Sequence, residues 1–123
     1  MKNEKSRKFK DRLYILVLRT IKLVENSKKN QTTVIIGDQL IRSITSILAN
    51  YMEGYAASSK KDYTNYFSHC LKSTNESKVW VSLLRDTTSV HKNEADSILQ
   101  ELEEISNIFG SSILTLRGKR KNI

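Results

Sequence analysis

The sequence predicts an all-α protein, an antiparallel up-down-up-down four-helix bundle, and three observations carry that reading. The 123 residues contain no proline and only four glycines, so little interrupts regular structure. Leu, Ile and Val recur at helical rather than alternating spacing along nearly the whole chain. Short polar stretches, residues 26–32 (NSKKNQT) and 87–93 (TTSVHKN), separate the periodic segments. Short connections between long helices place successive helices side by side and reversed. A mass of 14.2 kDa suits one domain with a modest core. Its expected division is a basic tail over residues 1–8, the bundle over 9–117 and a second basic tail over 118–123.

The first helix is expected over residues 9–26, with Phe9, Leu13, Leu16, Val17, Thr20, Ile21 and Val24 inward. Tyr14, Ile15 and Leu18 fall outside that stripe, so this helix carries more apolar surface than one core requires. They are the expected contact surface between copies of the chain. The second helix is expected over residues 33–57, with Leu40, Ile44, Ile47, Leu48, Tyr51 and Tyr55 on its core face. Ser59 then offers an N-cap, with Asp62 three residues on as in a capping box. The third helix runs to about residue 86, through Tyr63, Tyr66, Phe67, Cys70, Leu71, Trp80 and Leu84. The fourth places Ala95, Ile98, Leu102, Ile105, Phe109, Ile113 and Leu116 inward, and Gly118 is well placed as its stop.

A second set of residues threads the second helix. Arg42, Ser46, Asn50 and Glu53 follow one another at steps of four, four and three, which stacks polar side chains on one side. If the chain folds back at Ser58 and Ser59, Arg42 lies level with Glu76, Ser46 with Lys72 and Ser73, and Asn50 with Ser68. The expected role of this stripe is structural: each polar group meets a partner across the helix pair, with an Arg42–Glu76 ion pair among them.

The formal net charge of +8 sits at the two ends of the chain. Residues 1–30 hold ten Lys or Arg against three acids, residues 117–123 hold four basic side chains, and the stretch between is net negative. Lys5, Arg7, Lys8, Lys10 and Arg12 near the start and Arg117, Lys119, Arg120 and Lys121 at the end are the candidate contacts for a polyanion. Solubilising tails would have the same composition. Lys60 and Lys61 open the third helix, where they could address phosphate or equally stand in solvent, and Tyr51, Tyr55, Tyr63, Tyr66 and Trp80 admit base stacking, although their spacing favours packing.

Several elements of this sequence resemble a known bacterial signature. Asp38-Gln39-Leu40-x-Arg42-Ser43-x-Thr45-Ser46-Ile47 comes first, then Asn50-x-x-Glu53-Gly54-Tyr55 and Ser59-Lys60-Lys61-Asp62. Ser68, Leu71, Ser73 and Glu76 continue it, as does Leu102-Glu103-Glu104-Ile105. Together they resemble the four-helix-bundle proteins encoded in intervening sequences of large-subunit ribosomal RNA genes, sometimes labelled ribosomal proteins. The accessory variability protein of diversity-generating retroelements is a more distant relative. The resemblance implies a ring-shaped homopentamer without established enzymatic activity. Through the distant relatives it also implies RNA and a reverse transcriptase as partners. The sequence departs from those relatives in an acidic fourth helix bearing Glu94, Asp96, Glu101, Glu103 and Glu104.

Catalytic patterns are absent from the sequence. His69 and His91 have no metal-ligand spacing, there is no CxxC, and no glycine-rich loop follows a strand. The helical di-metal sites need Glu-x-x-His motifs that this chain lacks. No catalytic, cofactor or metal residue is expected. No apolar run reaches the ~20 residues that cross a bilayer. The basic start lacks the pattern of a signal peptide. The single cysteine, Cys70, fits a buried thiol in a reducing cytoplasm. The expected function is non-enzymatic binding of RNA or other nucleic acid through the basic chain ends. The alternative is a protein-interaction or scaffolding module with an acidic partner.

Overall fold

The computed structural model describes residues 4–118 as four helices: α1 (Glu4–Glu25), α2 (Gln31–Tyr55), α3 (Lys60–Thr87) and α4 (Lys92–Leu116). No strand occurs among the described residues, as the helical periodicity predicts. The packing is α2 on α3, α3 on α4 and α1 across α2 and α4. Partner numbers run in opposite senses along each pair. Arg12 meets Glu101 and Arg19 meets Glu94; Ser43 meets Ser77 and Ser46 meets Ser73; Lys78 meets Glu103 and Arg85 meets Asp96.

Local chemistry sets the helix ends. Ser59 caps α3 as its position suggests, its Oγ accepting from the Asp62 amide at 3.1 Å. Two other caps lie in stretches expected as loop: Asn30, a favoured N-cap type within the polar run 26–32, and His91, an uncommon one. Asn30 Oδ1 accepts from the Thr33 amide at 2.9 Å, so α2 starts at Gln31. His91 Nδ1 accepts from the Glu94 amide at 3.1 Å, so the expected loop at residues 91–93 ends in a capping imidazole. Gly118 follows α4 with φ of 68°, a left-handed conformation that glycine adopts without a Cβ clash and that stops the helix. α1 begins at Glu4, five residues before Phe9. Residues 4–8, expected as tail, are therefore its first turns: Glu, Lys and Arg are good helix formers that carry no apolar periodicity to reveal them.

The core is one cluster from all four helices, with Leu13, Leu16, Leu40, Ile44, Leu84, Ile98 and Phe109 fully enclosed. In α1 the expected stripe is displaced near its end. Leu23 is buried, while Ile21 and Val24 are half-buried against the cluster. Gly37 explains the crossing of α1 and α2. A Cβ there would stand 2.7 Å from Val24 Cγ1, so the missing side chain lets the two helices approach.

The polar stripe forms in part and is corrected in part. Ser73 Oγ donates to Ser46 Oγ at 3.0 Å, the level that folding back at residues 58–59 predicts. The Arg42–Glu76 ion pair does not form. Both residues are exposed, as is Glu53, because their positions lie one step of about 100° off the buried face that carries Leu40, Ser43 and Ile47. The buried pair is instead Ser43 with Ser77, 2.8 Å between hydroxyl oxygens. Asn50 turns back on its own helix, donating to the Ser46 carbonyl and hydroxyl at 2.9 Å. Ser68 likewise donates to its own helix, at the Thr64 carbonyl. Short hydroxyls satisfy themselves within a seam; long charged chains reach water instead.

Candidate nucleic-acid interface

The start of α1, the end of α2, the start of α3 and the last turns of α4 meet at one end of the molecule. There they enclose an open cleft of about 600 Å³. Its floor is aromatic: Phe109 and Phe67 are buried, with Tyr51 5.8 Å from Phe67 between ring centroids. Phe9, Tyr55 and Tyr63 are half-buried and complete the walls. Tyr51 reaches α1, its hydroxyl donating to the Ser6 carbonyl at 3.3 Å, which ties the first turns of α1 to the floor. Burial raises the pKa of the Tyr51 and Tyr63 hydroxyls above the ordinary phenol value, aided by neighbouring Tyr55. Of the five aromatics flagged from sequence, Tyr51, Tyr55 and Tyr63 thus gather at one place; Tyr66 and Trp80 do not line it.

The basic residues divide into two groups. Lys5, Arg7 and Lys8 are exposed, and no ion pair among the described residues involves them. Lys5 and Lys8 rim the cleft. Lys10 lies 3.9 Å from Asp11. Arg12 is different, and its place among free phosphate contacts is corrected. Its Nε and Nη2 donate to the two Glu101 carboxylate oxygens at 2.6 and 2.8 Å, and Nη2 also to Glu104 at 2.9 Å. Seven residues on, Arg19 grips Glu94 through two bonds of 3.0 Å and adds Ser97 Oγ at 2.8 Å. These hydrogen bonds, opposed by partial desolvation, hold the Glu101 and Glu94 carboxyls below the usual glutamate range. Acids of α4 therefore neutralise Arg12 and Arg19 of α1, and leave Arg7 unpaired among the described residues. The sequence carries a signal for this, since Arg12 and Arg19 are spaced like Glu94 and Glu101, one heptad apart.

At the far end of the chain, α4 passes the cleft and closes with Arg117 as its exposed C-cap. Lys119, Arg120 and Lys121 lie outside the described residues. Lys60 and Lys61 are exposed at the start of α3, on the same end as the cleft. Tyr14, Ile15 and Leu18 are 54%, 56% and 43% exposed, the uncovered second apolar face of α1.

No group of three or more His, Cys, Asp or Glu that could hold a metal occurs among the described residues. Burial pushes the Cys70 thiol up to about 12, which keeps it protonated near neutral pH. No helix among the described residues is long and apolar enough to cross a membrane.

Comparison with known proteins places this architecture. The family model described as 23S rRNA-intervening sequence protein matches residues 5–111. The chain belongs to that family. A solved structure from Bacteroides thetaiotaomicron VPI-5482, a protein of unknown function from the S23 ribosomal protein family, superposes with a TM-score of 0.79. It is 30% identical, and the match covers 89% of this chain and 97% of that one. No curated protein matches the chain. Family membership agrees with the resemblance carried by the Asp38–Tyr55 signature and covers all four helices, α4 up to Ser111.

Proposed function

We propose that this protein is a non-enzymatic, self-assembling, antiparallel up-down-up-down bundle that binds RNA or another nucleic acid on its cationic end. One observation carries the reading. Lys5, Arg7 and Lys8 remain uncommitted at the cleft end, while α4 takes up the charge of Arg12 and Arg19 further along the same helix. The positive charge left over is thus concentrated where Lys60, Lys61 and Arg117 also lie. A cluster of lysine and arginine suits phosphates with little sequence preference. The exposed Tyr14, Ile15 and Leu18 supply the contact between copies, and a ring, a pentamer by family resemblance, would repeat the basic end around an axis. The setting is the cytoplasm.

Two measurements check this. Light scattering at micromolar concentration is expected to give several times the 14.2 kDa monomer mass. A clean monomer would remove the ring from the proposal. Titration against structured RNA at two salt concentrations is expected to show steep weakening with salt. Neutralising Lys5, Arg7 and Lys8 to Gln should lower the affinity and flatten the salt slope together, by about 0.7–0.9 for each phosphate no longer neutralised. If the parent binds no RNA at low salt but captures an acidic protein partner, the scaffolding reading takes its place.

A further inference from the structure

We infer that the aromatic cleft is a base-stacking site: it takes one unpaired nucleobase of a single-stranded nucleic acid against Tyr55 and Tyr63, with the adjoining phosphate on Lys5 and Lys8. This rests on the nucleic-acid reading above and adds what part of the polymer is held. A solvated cationic surface would bind duplex and single strand alike, whereas this end has a cavity.

Its volume of about 600 Å³ lies within the roughly 300–1,000 Å³ range of small-molecule sites. The walls are rings: Tyr55 and Tyr63 stand 6.3 Å apart at 64°, and both are half-buried, so each keeps surface toward the opening. Rings at that angle form no parallel slot, so a base stacks on the exposed face of one tyrosine and meets the other at its edge. Stacking on aromatic side chains accepts every base. The rim supplies the other half of a nucleotide. Lys5 and Lys8 line the cleft without ion-pair partners among the described residues, and no acidic side chain lines it. Arg12, the third cation there, is already held by Glu101 and Glu104 and is left out of the site.

Charge outside the cleft selects a polymer over a small aromatic acid. Arg7, Lys60, Lys61 and Arg117 are exposed on the same end and do not line the cleft itself. A strand leaving the cleft would run its next phosphates past them. Paired bases are excluded by geometry, since a base inside a duplex presents no free face.

The test compares three labelled probes on the full chain at low salt: a single-stranded RNA, a duplex RNA with the same number of phosphates, and inorganic polyphosphate of matched charge. The single strand is expected to bind about tenfold more tightly than either of the others. Tyr55→Leu and Tyr63→Leu should each remove that preference. The loss of single-strand affinity should be about tenfold, within the range of a lost stacking contact, with duplex and polyphosphate binding unchanged. Tyr55→Phe should retain it. Circular dichroism checks that each variant stays helical. A photo-cross-linkable base in the single strand, used on the parent protein alone, should label Phe9, Tyr55 or Tyr63. If both leucine variants bind single strand as the parent does, or the cross-link maps outside the cleft, the stacking site is refuted. The phosphate reading then still stands. If the parent binds none of the three probes, both fall together.

Discussion

Phe109→Ala is expected to lower the free energy of unfolding by about 3–5 kcal/mol, the largest effect of any single substitution proposed for this chain. Phe109 is fully buried, and Phe9, Phe67 and Tyr51 surround its ring at centroid distances of 5.5, 5.6 and 6.4 Å. Two of these contacts are edge-to-face, the geometry ring quadrupoles prefer. The four rings come from all four helices, so no single element can shift to fill the space. Urea unfolding followed by circular dichroism measures the change directly. A loss under about 1 kcal/mol would mean that the aromatic cluster collapses and is softer than its packing indicates. The same substitution should open the cleft floor, so it is the wrong variant for binding experiments.

Glu101→Gln is expected to cost about 1–2 kcal/mol and to make stability less sensitive to acid. The Arg12–Glu101 pair is a two-bond fork, and hydrogen bonds to charged groups exceed neutral ones. Both side chains remain partly in solvent, which screens the gain and keeps the estimate low. The direction with pH follows from the carboxyl. Arg12 depresses the pKa of Glu101 in the folded state, so its contribution is complete above the unfolded value, about 4.3 for glutamate. It is lost as pH falls through the depressed folded value. Glu94 on Arg19 adds to the same window. Melting curves of the parent should therefore fall steeply below about pH 4.5, and those of Glu101→Gln less so. Equal acid slopes would mean that the fork adds nothing to the folded state.

How much of this could be read from the chain varies with the range of the interaction. Apolar periodicity located all four helices, since burial of one face is a local property of spacing. It could not find residues 4–8, where helix-forming charges carry no stripe, nor the caps: Asn30 is a favoured cap type but stands among other turn-forming residues in 26–32, and His91 is an uncommon one. The level of α2 against α3 was correct near Ser46 and Ser73. The choice of inward side chain was not, because one residue separates exposed Arg42 from buried Ser43. The acids of α4 were visible, but their partners were not: Arg12 and Glu101 lie 89 positions apart, and several acids competed. The cleft was the least legible feature. Tyrosines at helical spacing read as core, and only the convergence of four helix ends shows that Tyr55 and Tyr63 border open space.

The hydroxyl seam has a mechanical consequence. Two helices joined only by leucines and isoleucines can slide past one another by exchanging one apolar neighbour for the next. In α2 and α3 the Ser43–Ser77 and Ser46–Ser73 bonds oppose such sliding, since a displacement of one turn, about 5.4 Å, would break both and bring at most one pair of serines back into register. The hairpin therefore acts as a strut of fixed length, about 40 Å from the tyrosines at one end to the α3–α4 turn at the other.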